Sequence, residues 1–410
     1  MSSAESARRT RAGRPGRAAL LLLLCPLASC SSETSTGSSS STDPNVLPVS
    51  VSGPLCSAGA YLNEPCVSVT VCTPGTRTCQ NIGGILLDTG STGLRLFRSV
   101  LSGVSPSTIA IGSATLAECV TFLDGSSDWG PVEVADVVLG GEPAVQVPIH
   151  VLDANFGPPP TACPSPDTGP ADAGFNGILG VGVFAQDCES PCSGGSGPYF
   201  TCQGGSCTPY PESLAESVPL SDQVTNPVAV LPLDNNGVVV ELPAVAASGV
   251  VSTTGSLTLG IGTRPNNTPA NPTTFPLDEN GEFSTGGAGI PLEKAFVDTG
   301  SNGLFFPAPA GSGLVDCGGS DEGWYCPPSL VTLSPTMIGK SGAPDLSVAF
   351  QIGDFATLTA GSASVFPDIG GGETATQGFD WGLPFFLGRT VYLGIEGASS
   401  SLGTGPYFAF

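Results

Sequence analysis

Short apolar runs separated by glycine, proline and small polar residues make up most of the chain from residue 45 onward. Residues 69–71, 132–138 and 257–259 are rich in valine, threonine or leucine, which favour strands. The 57 glycines and 39 prolines show no fixed period, which excludes a collagen-like chain. The pattern therefore predicts an all-β protein of short strands and turns.

One four-residue sequence motif occurs twice in the chain. Asp88 opens the sequence Asp-Thr-Gly-Ser after an apolar run, and Asp298 opens the same four residues after another apolar run. Apolar residues followed by glycine come about 90 residues after each aspartate, at residues 178–180 and 385–388. Repeated phrases at matching distances predict two homologous lobes, each with one aspartate turn and one later apolar strand.

These phrases resemble the pepsin-like aspartic peptidases, whose two lobes each carry Asp-Thr-Gly on a loop with an apolar-apolar-Gly element behind it. Residues 69–75 are similar to the strand and turn that enter the family's first lobe. Residues 121–138 are similar to its flap hairpin, and residues 255–260 to the strand that closes the lobe. The sequence of residues 72–80 is also similar to the corresponding sequence in a group of uncharacterised secreted bacterial proteins of this fold.

The resemblance implies an all-β, bilobal pepsin-like acid-protease fold, with two pseudo-twofold related β lobes and a cleft between them. We expect the N-terminal lobe at residues 45–264 and the C-terminal lobe at residues 265–410. A Cys-rich insert of the first lobe spans about residues 186–226.

The same resemblance implies a catalytic pair, Asp88 and Asp298, which would activate a water molecule to hydrolyse a peptide bond. Two carboxylates held close together cannot both ionise easily, so one keeps its proton and can act as an acid beside a base. This chemistry needs no histidine, metal or cofactor. The residues expected to support the pair are Thr89, Gly90, Ser91, Thr299, Gly300 and Ser301. The flap residues expected to contact a substrate are Phe122, Asp124 and Gly125.

The alternative hypothesis is a protein of the same fold without catalytic activity, which acts as a binding or inhibitor protein at the cell surface. Phe122 stands where these peptidases carry a tyrosine, and phenylalanine has no hydroxyl to donate. Arg95 replaces the aromatic residue expected shortly after the first motif, and the Cys-rich insert could cover the cleft. A purely structural surface lipoprotein or a glycosidase using the two carboxylates would not explain the repeated Thr, Gly and Ser.

The chain begins with features of an export signal. Five arginines between residues 8 and 17 precede a short apolar run, and residues 27–30 resemble the bacterial lipobox, in which Cys30 would be lipidated. We expect a lipoprotein signal peptide at residues 1–29 and a flexible Ser-rich linker at 30–44. The mature protein would be anchored to the cell envelope by lipid alone, at the outer membrane, in the periplasm or on the cell surface. The alternative is an ordinary cleaved signal peptide.

Charge and residue scarcity restrict the partners. Residues 30–410 carry seven basic and 34 acidic side chains, a formal charge of −27, which argues against nucleic acid as a partner. The chain has a single histidine, His150, which we interpret as a strand residue, so a histidine-based metal site is not expected. The expected partner is a polypeptide substrate or a protein ligand, bound by a monomer.

The cysteines fit an oxidising compartment. There are 14, and removing Cys25 with the signal peptide and Cys30 by lipidation leaves 12, an even number that predicts six disulfides. The cluster at residues 188–207 could instead be nested. The expected local pairs are Cys56 with Cys66, Cys72 with Cys79, Cys188 with Cys192, Cys202 with Cys207, and Cys317 with Cys326.

Overall fold

The computed structural model describes residues 43–57, 61–123, 125–188, 197–211, 217–372 and 378–410. Strands account for 44% of the described residues and helices for 8%, so the predicted all-β class is confirmed. The strands include a closed six-stranded barrel. Within the described ranges, no helix is long and apolar enough to cross a membrane. The predicted signal peptide, Cys30 and nearly all of the linker lie outside the described residues.

The strands are short, as the frequent glycines and prolines predict. They are β1 Val46–Val51, β2 Pro65–Cys72, β3 Cys79–Asp88, β4 Thr92–Phe97, β5 Ser107–Thr108, β6 Ala110–Ile111, β7 Ala114–Thr121, β8 Ser127–Val138, β9 Val145–Leu152, β10 Gly177–Val181, β11 Tyr199–Gln203, β12 Ser206–Pro209, β13 Gly237–Leu242, β14 Thr253–Leu259, β15 Thr274–Pro276, β16 Phe283–Gly287, β17 Ile290–Val297, β18 Leu304–Phe306, β19 Val331–Leu333, β20 Thr336–Ile338, β21 Asp345–Ser347, β22 Phe350–Ile352, β23 Gly370–Gly372, β24 Phe379–Trp381, β25 Arg389–Gly394, β26 Ser399–Ser400, β27 Gly403–Thr404 and β28 Tyr407–Ala409.

Helices are few and brief. The α-helices are α1 Pro170–Ala173, α2 Phe355–Thr359 and α3 Leu383–Phe386, and the 3-10 turns are Arg98–Val100, Leu220–Asp222, Pro227–Val230, Pro265–Asn267 and Gly319–Asp321.

Two large sheets contain most of the described strands, and β19 with β22 and β26 with β27 form two separate two-stranded sheets. The larger contains β1 to β15 together with β25 and β28, and the smaller contains β16, β17, β18, β20, β21, β23 and β24. The late strand β25 returns to the larger sheet, where it pairs with β13 from Gly237 opposite Gly394 to Leu242 opposite Arg389. The predicted lobe border after residue 264 falls in the 3-10 turn before β15, whereas the chain changes sheets between β15 and β16.

The same strand arrangement appears in both sheets. In the larger, β10 runs parallel to β3 and antiparallel to β4. In the smaller, β24 runs parallel to β17 and antiparallel to β18. In each sheet, therefore, the strand leading to an aspartate and the strand leaving its turn both pair with one later strand. This arrangement is the structural basis of the repeat seen in the sequence.

The later element of the second repeat is not the one predicted. It is β24 followed by Gly382, whereas residues 385 and 386 lie in α3 and residues 387–388 follow it. A Cβ on Gly382 would lie 2.0 Å from the main-chain oxygen of Gly303, so only glycine allows this approach. Both Trp381-Gly382 and Leu387-Gly388 match an apolar-Gly pattern, and strand pairing decides between them.

The core is continuous across the two sheets. One apolar cluster includes Leu87 and Leu179 from the larger sheet and Val297 and Trp381 from the smaller. Burying a side chain of this size contributes about 1.5–3 kcal/mol relative to exposure. The residues directly before both aspartates therefore share one packed core, which holds the ends of β3 and β17 together.

Five disulfides join described residues. The predicted pairs Cys56–Cys66, Cys72–Cys79, Cys202–Cys207 and Cys317–Cys326 are confirmed, so the nested alternative that breaks Cys202–Cys207 is wrong. Cys119–Cys163 connects β7 to the loop before α1. Cys188 is also disulfide-bonded, while Cys192, its predicted partner, lies outside the described residues.

Candidate functional site

Two matching turns meet where β3 and β17 end. Asp88 is the last residue of β3 and Asp298 follows β17 directly. Neither side chain is exposed to solvent. Asp88 lies opposite Gly180 of the parallel strand β10, and the main-chain N–H of Asp298 donates to the oxygen of Trp381 in β24. Each aspartate is thus positioned by the later strand of its own repeat.

Each carboxylate accepts two hydrogen bonds from its own turn. Oδ1 of Asp88 accepts from the N–H of Gly90 at 2.8 Å, and Oδ2 accepts from the hydroxyl of Ser91 at 2.5 Å. The second turn repeats the arrangement, since Oδ1 of Asp298 accepts from the N–H of Gly300 at 2.7 Å and Oδ2 from Ser301 at 2.7 Å. The predicted supporting glycine and serine residues therefore orient both carboxylates.

The threonines join the two turns. The hydroxyl of Thr299 accepts from the N–H of Thr89 at 3.1 Å and donates to the oxygen of Leu87 at 2.7 Å. The hydroxyl of Thr89 accepts from the N–H of Thr299 at 2.9 Å and donates to the oxygen of Val297 at 3.2 Å. These four buried bonds form a reciprocal lock, because each threonine bridges two main-chain groups of the opposite turn.

The glycines create the space in which the carboxylates face each other. A Cβ on Gly90 would lie 2.6 Å from Cγ of Asp298, and a Cβ on Gly300 would lie 2.8 Å from Cγ of Asp88. Contacts below 3.0 Å are not tolerated by real Cβ atoms. Each carboxylate therefore packs against the glycine of the other turn, and any larger residue there would separate the pair.

Electrostatics favour one shared proton. The pKa of Asp88 is raised well above its ordinary value, first by burial, then by the negative charge of Asp298 and by a side-chain hydrogen bond with Asp298. The bonds from Ser91 and Gly90 act in the opposite direction. A pair with one proton and one negative charge offers a general acid next to a general base, and its proton belongs to the pair rather than to one residue.

The hairpin expected to act as a flap is present as β7 and β8. Phe122, at its tip, is 3% exposed and packs in an apolar cluster with Leu86 and Ile178. Leu86 lies two residues before Asp88 and hence on the same face of β3. Gly125 is exposed at a positive φ of 84°, and Asp124 lies outside the described residues. The tip of the hairpin therefore packs on the face of β3 that carries Leu86.

A buried charge network beside the first turn was missed by the sequence analysis. Arg95 has no exposed surface, and its guanidinium donates to the oxygen of Thr92 at 2.6 Å. It also donates to Glu118 at 3.1 Å and to Asp187 at 3.2 Å. Glu118 lies on the flap-like hairpin and Asp187 at the start of the Cys-rich insert, so Arg95 joins both to the strand leaving the first turn.

Two further buried side chains complete this network. Nδ1 of His150 lies 3.3 Å from Oε2 of Glu118, and the pKa of His150 is lowered well below its ordinary value by burial and by the charge of Arg95. The hydroxyl of Tyr199 donates to Asp187 at 2.5 Å and accepts from the N–H of Val224 at 2.7 Å. An arginine inside the apolar run of β4 was the available signal, because a buried arginine requires carboxylate partners.

One cluster has the composition of a metal site. Ligand atoms of Cys56, Glu64 and Cys66 lie within 4.8 Å of one another. The two sulfurs form a disulfide, however, so neither is a thiolate that could bind a metal. In the oxidised protein this cluster is a buried cross-link beside a carboxylate.

Comparison with known proteins places the chain in a family. No curated protein sequence matches it. The family described as "Protein of unknown function (DUF3443)" matches residues 41–410, which include every described residue and both aspartate turns. The chain therefore belongs to the DUF3443 family.

Proposed function

We propose that this protein is an aspartic endopeptidase with a bilobal pepsin-like fold, its lobes at residues 45–264 and 265–410. The repeated arrangement of β3, β4 and β10 and of β17, β18 and β24 supports two related lobes. The observation that carries the proposal is the reciprocal geometry at the dyad, where each carboxylate packs against the other turn's glycine and each threonine bonds the other turn.

The reaction uses a water molecule between the carboxyl groups. The ionised carboxylate takes a proton from the water while its oxygen attacks the scissile carbonyl carbon, and the protonated carboxyl donates to the carbonyl oxygen. As the tetrahedral intermediate collapses, the C–N bond breaks, the leaving nitrogen takes a proton from the dyad, and one hydroxyl of the intermediate returns its proton to the dyad as the C=O bond re-forms, so the pair again holds one proton. The raised pKa of Asp88 supports this scheme, because it keeps a proton on the pair at a higher pH than an isolated aspartate would.

A second candidate is a catalytically silent binding protein built on the same frame. The observation in its favour is Phe122, which replaces the tyrosine hydroxyl of pepsin-like enzymes and is buried against Leu86 and Ile178. In that case the cleft would hold a protein ligand without cleaving it.

Cleavage of a quenched peptide library from about pH 3 to about pH 7 distinguishes the two candidates. We expect wild-type activity to rise as the pH falls and then to drop once both carboxyls are protonated. Asp88→Asn and Asp298→Asn should each lose at least about 10²–10⁴-fold in rate, because one neutral amide removes both the base and the shared proton.

The matched control is Asp345→Asn, the same chemical change at an exposed position of β21, which should keep full activity. A folded wild-type protein that cleaves nothing in this range would favour the binding protein. Full activity in both dyad variants would show that hydrolysis occurs elsewhere.

For the location, we propose an exported protein anchored by a lipid on Cys30. The confirmed disulfides support an oxidising compartment. Cys30→Ala should move the protein from the detergent phase to the soluble fraction in a phase-partition assay. A wild-type protein that is already soluble and begins at another residue would contradict the anchor.

A further inference from the structure

Arg389 has no carboxylate partner among the described residues, unlike the other arginines whose contacts are described. Arg95 contacts Glu118 and Asp187, and Arg264 contacts Asp234 at 2.7 Å and Glu142 at 2.8 Å. Arg98 likewise contacts two acidic residues. No acidic side chain lies within ion-pair distance of Arg389 among the residues that the structure describes. In so acidic a protein, this partly buried cation is the exception.

The guanidinium is nevertheless held in place. One nitrogen, Nη1, donates to the oxygen of Phe385 at 2.6 Å. Its Cζ lies 4.8 Å from the ring centroid of Phe385 and 6.0 Å from that of Phe410. A guanidinium has five N–H donors, and the described residues supply an acceptor for one of them. Burial lowers the pKa of Arg389. The group is therefore held in place and partly desolvated, and most of its donors have no acceptor among the residues that the structure describes.

A pocket lies against this side chain. It has a volume of about 380 Å³ and is lined by Arg389, Thr390 and Tyr392 from β25, by Phe410, and by residues 270–272. This volume is in the range of small-ligand pockets, about 300–1,000 Å³. The Phe410 and Tyr392 rings provide apolar surface beside the cation. Glu241, opposite Thr390 in the strand register, does not line the pocket.

We propose that this pocket binds a monocarboxylate that carries an aromatic or branched apolar group, with its carboxylate on Arg389 and its apolar part against Phe410 and Tyr392. A guanidinium matches the planar fork of a carboxylate through two parallel hydrogen bonds. A doubly charged phosphate would leave one negative charge unbalanced in a strongly acidic protein, which disfavours it. The site is separate from the aspartate pair, so the proposal does not depend on peptidase activity.

Such a carboxylate can belong to a free small acid or to the C-terminus of a peptide. Calorimetric titration of the full-length protein with 3-phenylpropionate tests the first source, and titration with N-acetyl-Ala-Phe tests the second. Each ligand is paired with its primary amide, which keeps the shape and removes the charge. We expect at least one acid to bind with a Kd of about 1 mM or tighter, and its amide at least about tenfold more weakly.

The variant Arg389→Gln should weaken binding of that acid at least about tenfold, since it removes charge-assisted hydrogen bonds. The matched control is Arg77→Gln, the same loss of charge at an exposed arginine of the loop between β2 and β3, which should leave the affinity unchanged. Equal affinity in Arg389→Gln and wild type would overturn the proposal. Failure of both acids to bind, or equal binding of acid and amide, would also overturn it.

A measurement on the wild-type protein avoids any effect of Arg389→Gln on folding. Phenylglyoxal modifies arginine, and peptide mass spectrometry reports the rate at each site. The acid that binds should slow the modification of Arg389 and leave that of Arg77 unchanged. Equal rates at Arg389 with and without a saturating acid would contradict the site, even if calorimetry detected binding elsewhere.

Discussion

The two aspartate turns share one inner frame, by which we mean the hydrogen bonds within and between the turns, but different side chains surround them. Within the turns, the hydrogen bonds to the carboxylates come from the same donor groups to the same acceptor atoms. Seven residues after each aspartate, the larger sheet has Arg95 and the smaller has Phe305. Arg95 lies among buried charges. Phe305 instead packs against Trp324, with their ring centroids 5.3 Å apart. Trp324 in turn stacks on Phe355, with a centroid distance of 4.2 Å.

This difference teaches that the frame and its support are independent. The turn depends on four consecutive residues whose groups bond one another, so the same sequence forms the same frame twice. The support depends on residues from distant elements. Ion pairs hold the first turn's strand to the flap-like hairpin and the insert, whereas dispersion and apolar burial hold the second. The two supports should therefore respond differently to substitution.

The largest expected effect comes from removing the charge in the first support. Arg95→Met should lower the free energy of unfolding by about 3–5 kcal/mol, because it removes the buried guanidinium that pairs with the buried carboxylates of Glu118 and Asp187. Phe305→Leu should cost less, under about 1.5 kcal/mol.

Urea denaturation measures both losses. The control Arg98→Met removes an arginine with two acidic partners whose side chain is 39% exposed, so its cost should be smaller than that of Arg95→Met. A loss for Arg95→Met no larger than that for Arg98→Met would contradict the role of the buried ion pairs in the first support.

The disulfides provide a second contrast between the sheets. Cys119–Cys163 closes a loop of 44 residues, and Cys317–Cys326 closes one of nine. Loop entropy predicts that replacing both cysteines by alanine costs about 4 kcal/mol for the first pair and about 2.5 kcal/mol for the second. Thermal unfolding of the two double variants measures the difference. The reverse order would show that packing around the sulfurs outweighs loop closure.

The inner frame should behave symmetrically. Thr89→Val and Thr299→Val each remove a hydroxyl that bridges two buried main-chain groups, and each should lower the free energy of unfolding by about 1–3 kcal/mol. Thr89→Ser and Thr299→Ser keep the hydroxyl and serve as controls. Chemical denaturation that gave clearly unequal losses for the two valine variants would contradict the equivalence of the turns.

The smallest expected effect is a gain in stability. The pKa of Asp88 is raised in the folded protein. The favourable contribution of Asp88 to the free energy of unfolding is therefore present below the ordinary aspartate pKa, and it is lost as the pH rises through the pKa of Asp88 in the folded protein. Asp88→Asn removes the titrating group, so its Tm should exceed that of wild type by a few degrees at neutral pH and not in acid. A Tm gain that is equal in acid would show that charge repulsion is not its cause.

Much of the fold and the site could be predicted from local signals. The abundance of short apolar runs predicts the all-β class, and the neighbouring cysteines predict four of the observed disulfides. The repeated Asp-Thr-Gly-Ser marks both turns. A strand that ends at an aspartate, followed by a glycine two residues later and a serine three residues later, supplies the hydrogen bonds that form within each turn. In contrast, the second apolar-Gly element was placed at residues 385–388, and the network around Arg95 was not foreseen.

The sequence by itself determined those features in which the interacting groups are close along the chain. Only the tertiary structure decided which distant groups meet. Arg95 receives its carboxylates from positions 23 and 92 residues away, and each threonine bonds main-chain groups about 210 residues away. Such contacts depend on which strands pair and in what register, because packing against a shared core selects one pairing among many with similar local patterns.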